Sequence, residues 1–327
     1  MSVFEEIRCF IQKKISNPVS LSLLLEQLDK TRRMIADGYW IPAFDLPEQI
    51  GLNLNQPQRE SRLLTRICAF IYLGADLLDD LHDGELQLPQ NISTAEVTLL
   101  SATLLTAFPS MTLSELHVNA ETKVKMQETI AQSLLKMSLG QQQDISTVAR
   151  EDISLDEVKQ SVMAKSGEEL ALFCLLAAQY SELPLPQQKY HENFGRLLGT
   201  ALQMASDYHD LMWAPVSCDL KRGTRSLPIA FCLEKLRAKP RREFMKLLEE
   251  AADNAEKLQL FRHFLADSGS LDYLALLVED CCLESLKMLE LLNLGKETKM
   301  RLKTRIESVS LLATRKDRAE RPMLFGM

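Results

Sequence analysis

Residues 70–85 read Phe70-Ile-Tyr-Leu-Gly-Ala-Asp-Leu-Leu-Asp-Asp-Leu-His-Asp-Gly-Glu85. The apolar residues recur at intervals of three and four, which is typical of one face of an α-helix. The aspartates at 76, 79, 80 and 83 follow the same spacing and therefore share one side of the predicted helix. A solvated helix end with Gly84 as its cap is one interpretation. Because these like charges repel one another and suit a hard divalent cation, we favour a Mg²⁺ site.

Helical periodicity continues through nearly all of the 327 residues, for example between Leu21 and Leu28. No stretch alternates apolar and polar residues convincingly, so we expect an all-α fold with essentially no sheet. Prolines and glycines should end these helices, which gives about ten of them. The expected stops include Pro18, Pro109, Gly140 and Pro240. Because no segment has the composition of a linker, we expect a single domain over residues 1–327.

Charge and composition restrict the class of partner. The net charge of −7 gives no indication of the basic face that nucleic-acid binding normally requires, so we expect no nucleic-acid partner. The first residues are acidic where a signal peptide would be basic, and no window of 18 uninterrupted apolar residues predicts a transmembrane segment. The seven cysteines are scattered without a CxxC pair, which favours a reducing, cytoplasmic location.

A second acidic group lies more than 120 residues downstream. Gln203, Asp207 and Asp210 have the spacing of one helical face, and a basic segment with Lys221, Arg222 and Arg225 follows. Two acidic faces and a basic loop could clamp a diphosphate between metal ions and cations. Between the two acidic groups, helical segments carry Gln141 with Asp144 and Lys165 with Ser166.

In this order and spacing, the motifs resemble the trans-isoprenyl diphosphate synthases, the polyprenyl synthetase family of class I isoprenoid synthases. The resemblance covers about residues 30 to 235. It implies an all-α, class I isoprenoid synthase helical bundle around a central apolar cavity, where three Mg²⁺ ions hold a prenyl diphosphate. The motifs are Asp79-Asp80-x-x-Asp83, Gly140-Gln141-x-x-Asp144, Lys165-Ser166, Gln203 before Asp207-x-x-Asp210, and Asp219-x-x-x-Gly223-x-x-Ser226-Leu227-Pro228.

The resemblance also implies roles for individual residues. Asp79, Asp83, Asp207 and Asp210 are the implied metal ligands, and with Asp80 in support they form the implied catalytic group. The implied substrate-binding residues are Gln141, Asp144, Lys165, Gln203, Lys221, Arg222 and Arg225. A homodimer is implied as well.

Two basic stretches of the chain-elongating members have no counterpart here. Those members carry Gly-Gly-Lys-x-x-Arg and an Arg-Arg pair, whereas this sequence reads Asp37-Gly-Tyr-Trp-Ile-Pro42 and Gly84-Glu-Leu-Gln-Leu-Pro89. Without those cations, the diphosphate of isopentenyl diphosphate would lack partners, so ordinary elongation is not expected. Ser206 and Thr224 replace a usual aspartate and lysine. Two assignments therefore stay open. One is the first metal ligand of the second motif, and the other is the cation that replaces the lysine.

These features favour a terpene synthase that ionises one allylic prenyl diphosphate and guides the cation in a dry cavity. Transfer of the prenyl group to a peptide or another acceptor is the alternative, since the Ser-Asp-Tyr-His stretch is similar to the transferases that modify competence pheromone peptides. A chain-elongating polyprenyl diphosphate synthase and a non-catalytic subunit are the remaining possibilities. Aromatic candidates to line the cavity and stabilise the cation are Phe70, Tyr72, Phe173 and Tyr208.

Overall fold

Helices account for all the regular structure in the part of the chain that is described. The computed structural model describes residues 2–86, 88, 91–215 and 217–312, and within them there is no β-strand, so the all-α prediction is confirmed. A 3₁₀ turn spans Pro42–Phe44, and π-helical turns at Thr103–Ala107 and Met163–Gly167 join α5 to α6 and α8 to α9. The helices are α1 Val3–Lys14, α2 Pro18–Ala36, α3 Leu46–Asn53, α4 Gln58–Asp83, α5 Thr94–Ala102, α6 Phe108–Ser114, α7 Ala120–Thr147, α8 Leu155–Val162, α9 Glu168–Tyr180, α10 Leu185–Trp213, α11 Cys218–Arg222, α12 Leu227–Lys235, α13 Ala238–Ala251, α14 Ala255–Asp267, α15 Ser270–Leu291 and α16 Lys296–Val309.

The described residues contain more helices than the sequence predicted, and three of the expected stops were wrong. Pro240 lies in the first turn of α13, where the N–H that proline lacks has no helical partner. Pro109 follows the π-helical turn that joins α5 to α6 and lies inside the continuous helix Thr94–Ser114. Gly140 lies inside α7, which continues to Thr147. Gly84 does end α4, in the left-handed conformation with φ 72°.

The long helices α4 and α10 carry the two aspartate groups. α4 packs against α3, α5, α6 and α9, while α10 packs against α9 and α15, so α9 contacts both of them. One continuous apolar cluster reaches from Ile7 to Leu311. The prediction of one domain over residues 1–327 extends beyond this cluster to residues 313–327, which lie outside the described part.

Two glycines allow the turn that carries Lys165 to sit between α7 and α10. A Cβ at Gly199 of α10 would lie 2.2 Å from the Ser166 carbonyl oxygen, and one at Gly140 of α7 would lie 3.0 Å from the Lys165 nitrogen. Neither distance leaves room for a side chain. The glycine in the Gly140-Gln141-x-x-Asp144 motif therefore serves close helix packing, and the packing fixes the position of the Lys165 turn.

By length and composition, one helix among the described residues, Thr94–Ser114, could cross a membrane. Its mean hydropathy is 1.4 and 39% of the window is buried inside the protein. The Ser101 hydroxyl donates a hydrogen bond of 2.5 Å to the Gly74 carbonyl of α4. Because core helices of soluble proteins pack in this way, the helix is weak support for a membrane span.

Candidate active site

One lysine of α2 contacts the aspartates of α4. Lys30 Nζ lies 2.6 Å from Asp80 Oδ2 and 3.6 Å from Asp76 Oδ2, and the Gln27 amide donates to the Asp76 carboxylate. Burial raises the pKa of Asp76 to about 6, and the Asp79 and Asp80 charges act in the same direction. The sequence did not identify Lys30 or Gln27 as site residues. Both lie on a different helix, outside the recognised motifs.

Lys165 lies between the first acidic helix and α7. Its Nζ is 2.9 Å from Asp79 Oδ2 and 3.9 Å from Asp144 Oδ2. The Gln141 amide donates to Asp79 Oδ1 at 2.9 Å. Three separate motifs of the sequence thus meet around the Asp79 carboxylate.

The second acidic group is held by hydrogen bonds from its own helix and from the following loop. The Gln203 amide donates to Asp207 Oδ1 at 2.8 Å, and the Ser166 hydroxyl donates to Gln203 Oε1 at 2.6 Å. The Ser217 hydroxyl donates to Asp210. Burial raises the pKa of Asp207 to about 7, and the negative charges of Asp144 and Asp210 reinforce the shift.

Of the three basic candidates that follow α10, Arg222, the last residue of α11, reaches the aspartates. It forms ion pairs with Asp83 and, at 3.1 Å, with Asp144 Oδ2. Its Nε donates to the Thr224 hydroxyl at 2.9 Å. Arg222 thereby places positive charge beside the residue that replaces the family lysine.

The other two basic candidates, Lys221 in α11 and Arg225 in the loop after it, are placed differently. Lys221 is exposed and does not line the cavity. Arg225 is buried and lines the cavity, but its Nε donates to the Arg150 carbonyl at 2.7 Å. Arg225 therefore ties the loop to the chain that follows α7.

Both aspartate groups face a single cavity of about 230 Å³. Every predicted site residue lines it except Gln141 and Lys221, and Ser206 lines it beside Asp207. A smaller apolar part is formed by Ala75, Met137, Val158 and Val162. Of the aromatic candidates, Tyr72 is on the wall, whereas Phe70 is buried against Phe10 and Phe108.

Negative charge is in large excess on the described wall of the cavity. Ten carboxyl groups face three cationic side chains, Lys165, Arg222 and Arg225. Burial raises the pKa of Asp219 well above its usual range, and the charges of Asp207, Asp210 and Asp144 add to the effect. The carboxyl groups are Asp76, Asp79, Asp80, Asp83, Glu85, Asp144, Glu169, Asp207, Asp210 and Asp219.

Such a set of oxygen donors fits a hard divalent cation such as Mg²⁺. Among the described residues, no three His, Cys, Asp or Glu side chains are already gathered closely enough to form a complete metal site. Mg²⁺ usually keeps several waters and shares its coordination with phosphate oxygens, so a dispersed set of carboxylates suits it. The arrangement could therefore hold cations together with an anionic ligand.

The polyprenyl synthetase sequence profile matches residues 77–264. No curated protein matches the sequence.

Solved structures with the same fold include three bacterial and archaeal proteins. The geranylgeranyl pyrophosphate synthase of Lactobacillus brevis is 17% identical, with a TM-score of 0.75 over 94% of this chain and 95% of that one. The geranylgeranyl pyrophosphate synthetase of Pyrococcus horikoshii is 17% identical, with a TM-score of 0.72 over 94% and 99%. The decaprenyl diphosphate synthase of Rhodobacter capsulatus is 16% identical, with a TM-score of 0.71 over 95% and 96%.

At these identities the structural likeness establishes the fold, which is the all-α isoprenoid synthase fold expected from the motifs. The profile match shows the relationship at the level of sequence, because it covers more than half of the chain and includes the motifs Asp79 to Asp83 and Asp207 to Asp210. The chain belongs to the polyprenyl synthetase family.

Proposed function

We propose that this protein is a Mg²⁺-dependent class I isoprenoid synthase that ionises an allylic prenyl diphosphate and releases diphosphate. The supporting observation is the convergence of Asp79 and Asp83 of α4 with Asp207 and Asp210 of α10 on one cavity. The excess of carboxylates would repel a diphosphate alone. Bound cations would reverse that charge and make the cavity a diphosphate site.

Asp79, Asp83, Asp207 and Asp210 would hold the metal, for which we propose three Mg²⁺ ions. When bound, the ions supply Lewis-acid stabilisation of the departing diphosphate. Lys165 and Arg222 would add charge-assisted hydrogen bonds to its oxygens. Gln141 and Gln203 keep Asp79 and Asp207 in place through amide hydrogen bonds of 2.9 and 2.8 Å.

Ionisation of the prenyl diphosphate leaves an allylic carbocation. For the further reaction of this cation, we favour a terpene synthase that uses one prenyl substrate. The described residues that replace the first basic stretch of elongating members, Asp37 to Pro42, offer no cationic side chain to a second diphosphate. Gly38 has no side chain, and Ile41 is buried in the core. In the second stretch, residues 87 and 89 lie outside the described part of the chain.

Chain elongation is the second candidate, because the solved structures of similar fold include two geranylgeranyl synthases and a decaprenyl diphosphate synthase. Transfer to a peptide or another acceptor is the third. A non-catalytic subunit would have no need for the mutually repelling aspartates of α4.

The test is an assay of purified protein with geranyl, farnesyl and geranylgeranyl diphosphates and Mg²⁺, with and without isopentenyl diphosphate or a tryptophan-containing peptide. Hydrocarbon or alcohol from one prenyl substrate supports a terpene synthase. A longer prenyl diphosphate establishes elongation instead, and a prenylated peptide establishes transfer. The Asp79→Asn, Asp83→Asn double variant is the inactive control. If wild-type protein releases no diphosphate from any of these substrates, the proposed function is wrong.

We also propose a homodimer. Several apolar side chains on α5 to α7 are exposed, Leu99 by 68% and Leu135 by 61%, and a partner could cover them. Light scattering at several concentrations tests this. A monomer at all of them would contradict the proposal.

A further inference from the structure

Two neighbouring glutamates at the start of α9 are both buried but have opposite surroundings. Glu168 accepts hydrogen bonds from the Ser133 hydroxyl at 2.8 Å and Lys136 Nζ at 3.0 Å, and it forms an ion pair with Arg196. Glu169 lines the cavity with 6% of its surface exposed, and its Oε1 has no hydrogen-bond partner among the described residues. Glu168 is fully compensated by the fold, whereas Glu169 is not.

Tyr72, like Glu169, has a buried polar atom without a hydrogen-bond partner among the described residues. Its hydroxyl is buried, lines the same cavity and has no hydrogen-bond partner in the described part of the protein. Buried polar groups without partners are rare, because each one loses its hydrogen bonds to water. The Ser226 hydroxyl on the same wall also has no partner among the described residues. The unpaired atoms of Tyr72 and Glu169 point to a ligand or intermediate that these two residues meet during function.

Their depth in the cavity separates them from the diphosphate end. Tyr72 precedes Asp79 by seven residues on α4, and Glu169 follows Lys165 by four on the continuous helix through α9. At about 1.5 Å per residue, they lie about 10 and 6 Å along their helices from the residues proposed to bind metal and diphosphate. The carbon chain of a prenyl diphosphate held by those residues would reach this level, beside Ala75.

The environment of Glu169 also makes its carboxylate a stronger base than that of an ordinary glutamate. Burial raises the pKa of Glu169 to about 8, and the negative charges of Asp76 and Asp79 act in the same direction, whereas Lys165 opposes them. A carboxylate near its own pKa at the working pH is suited to proton transfer.

We propose that Glu169 is a catalytic proton acceptor for the carbocation formed in this cavity. The inference rests on the proposed function, but it applies to each fate of the cation that ends in proton loss. The C–H bond next to the cationic carbon breaks, and its electron pair forms the new C=C bond. The proton bonds to the Glu169 carboxylate, which becomes a neutral carboxylic acid and later returns the proton to water.

Glu169→Gln tests this role because it keeps the shape of the side chain but removes the base. Ionisation precedes proton loss, so the rate of diphosphate release should stay within about threefold of wild type. The product that requires proton loss should fall at least tenfold relative to diphosphate released, with an alcohol from water capture rising in its place. Glu169→Asp, which retains a carboxylate, should restore part of the wild-type product ratio.

Glu168→Gln is the matched control, since it alters a buried glutamate of the same helix that faces away from the cavity chemistry. It should lower thermal stability and leave the product ratio unchanged. An unchanged product ratio in Glu169→Gln would overturn the inference, as would an equal loss of diphosphate release and product. If the wild-type protein releases no diphosphate at all, the proposed function fails before this test is reached, so the two failures are distinguishable.

Discussion

Lys165 Nζ lies 2.9 Å from Asp79 Oδ2, so the central cation of the cavity contacts the first aspartate of the α4 motif. Although burial lowers the pKa of Lys165, the charges of Asp79 and Asp144 raise it overall, and the ammonium group stays charged at neutral pH. In this position Lys165 partly neutralises the carboxylates and can also turn toward an anionic ligand. Its placement on a π-helical turn is determined by the close approach of α7 and α10.

Replacing this lysine should affect catalysis more than folding. We expect Lys165→Met to lower kcat/KM for the prenyl diphosphate about 100-fold, which is typical for loss of one group that stabilises developing negative charge. Lys136→Met is the matched control, because Lys136 pairs with the buried Glu168 outside the cavity. Steady-state release of diphosphate measures the effect. Equal losses in both variants would contradict a specific role for Lys165.

The basic segment formed by α11 and the loop after it allows a sharper comparison, because its three cations have different surroundings. Arg222→Ala should raise KM for the prenyl diphosphate at least tenfold, since it removes the cation that pairs with Asp83 and Asp144. Lys221→Ala should have a much smaller effect because Lys221 is exposed. Arg225→Ala should mainly lower Tm, because Arg225 bonds to a backbone carbonyl. A larger KM effect in Lys221→Ala than in Arg222→Ala would show that the loop rearranges when substrate binds.

The sequence predicted those parts of the site that depend on local spacing. Helical periodicity identified the all-α fold, and spacing of three and four placed the aspartates of α4 and α10 on single faces. The sequence could not reveal Lys30 or Glu169 as site residues, because their roles depend on which helices are neighbours in space. It also misjudged Gly140, since a glycine that permits close packing and one that ends a helix look the same in one sequence.

Close packing at Gly199 can be tested directly. A Cβ there would lie 2.2 Å from the backbone carbonyl oxygen of Ser166, which cannot move without displacing the Lys165 turn. We expect Gly199→Ala to cost about 1–3 kcal/mol of unfolding free energy and to lower diphosphate release. Lys189→Ala, at an exposed position of the same helix, should do neither. Urea denaturation gives the free energies, and a fully stable Gly199→Ala would contradict the packing argument.

The excess of buried carboxylates predicts an unusual pH dependence for the metal-free protein. The pKa values of Asp76, Asp207 and Glu169 are raised to about 6, 7 and 8. Between the ordinary carboxyl pKa and these values, the folded state binds more protons than the unfolded state, so these groups make stability fall as pH rises. Thermal unfolding without metal should show Tm decreasing from pH 5 to pH 8. A Tm that rises from pH 5 to pH 8 would contradict this prediction.

Mg²⁺ with inorganic diphosphate should counteract this loss. Ligands that bind only the folded state raise its stability, and ionised carboxylates are the form that binds metal. The increase in Tm on addition of both should therefore be larger at pH 8 than at pH 6. The Asp79→Asn, Asp83→Asn double variant should lose most of the increase. An equal increase in that variant would place the binding site elsewhere.

Glu169 should contribute to the pH dependence in a way that separates function from folding. Its unfolded pKa is near 4.5 and its folded pKa about 8, so the cost of burying it grows between these pH values and is constant above them. Because glutamine carries no charge, Glu169→Gln should raise Tm at pH 8 and change it little at pH 4.5. Glu168→Gln should lower Tm at pH 8, since it loses ion pairs with Lys136 and Arg196. A group whose removal stabilises the fold while disturbing the product ratio is retained for chemistry. If Glu169→Gln instead lowers Tm at pH 8, the carboxylate has a partner that the fold needs.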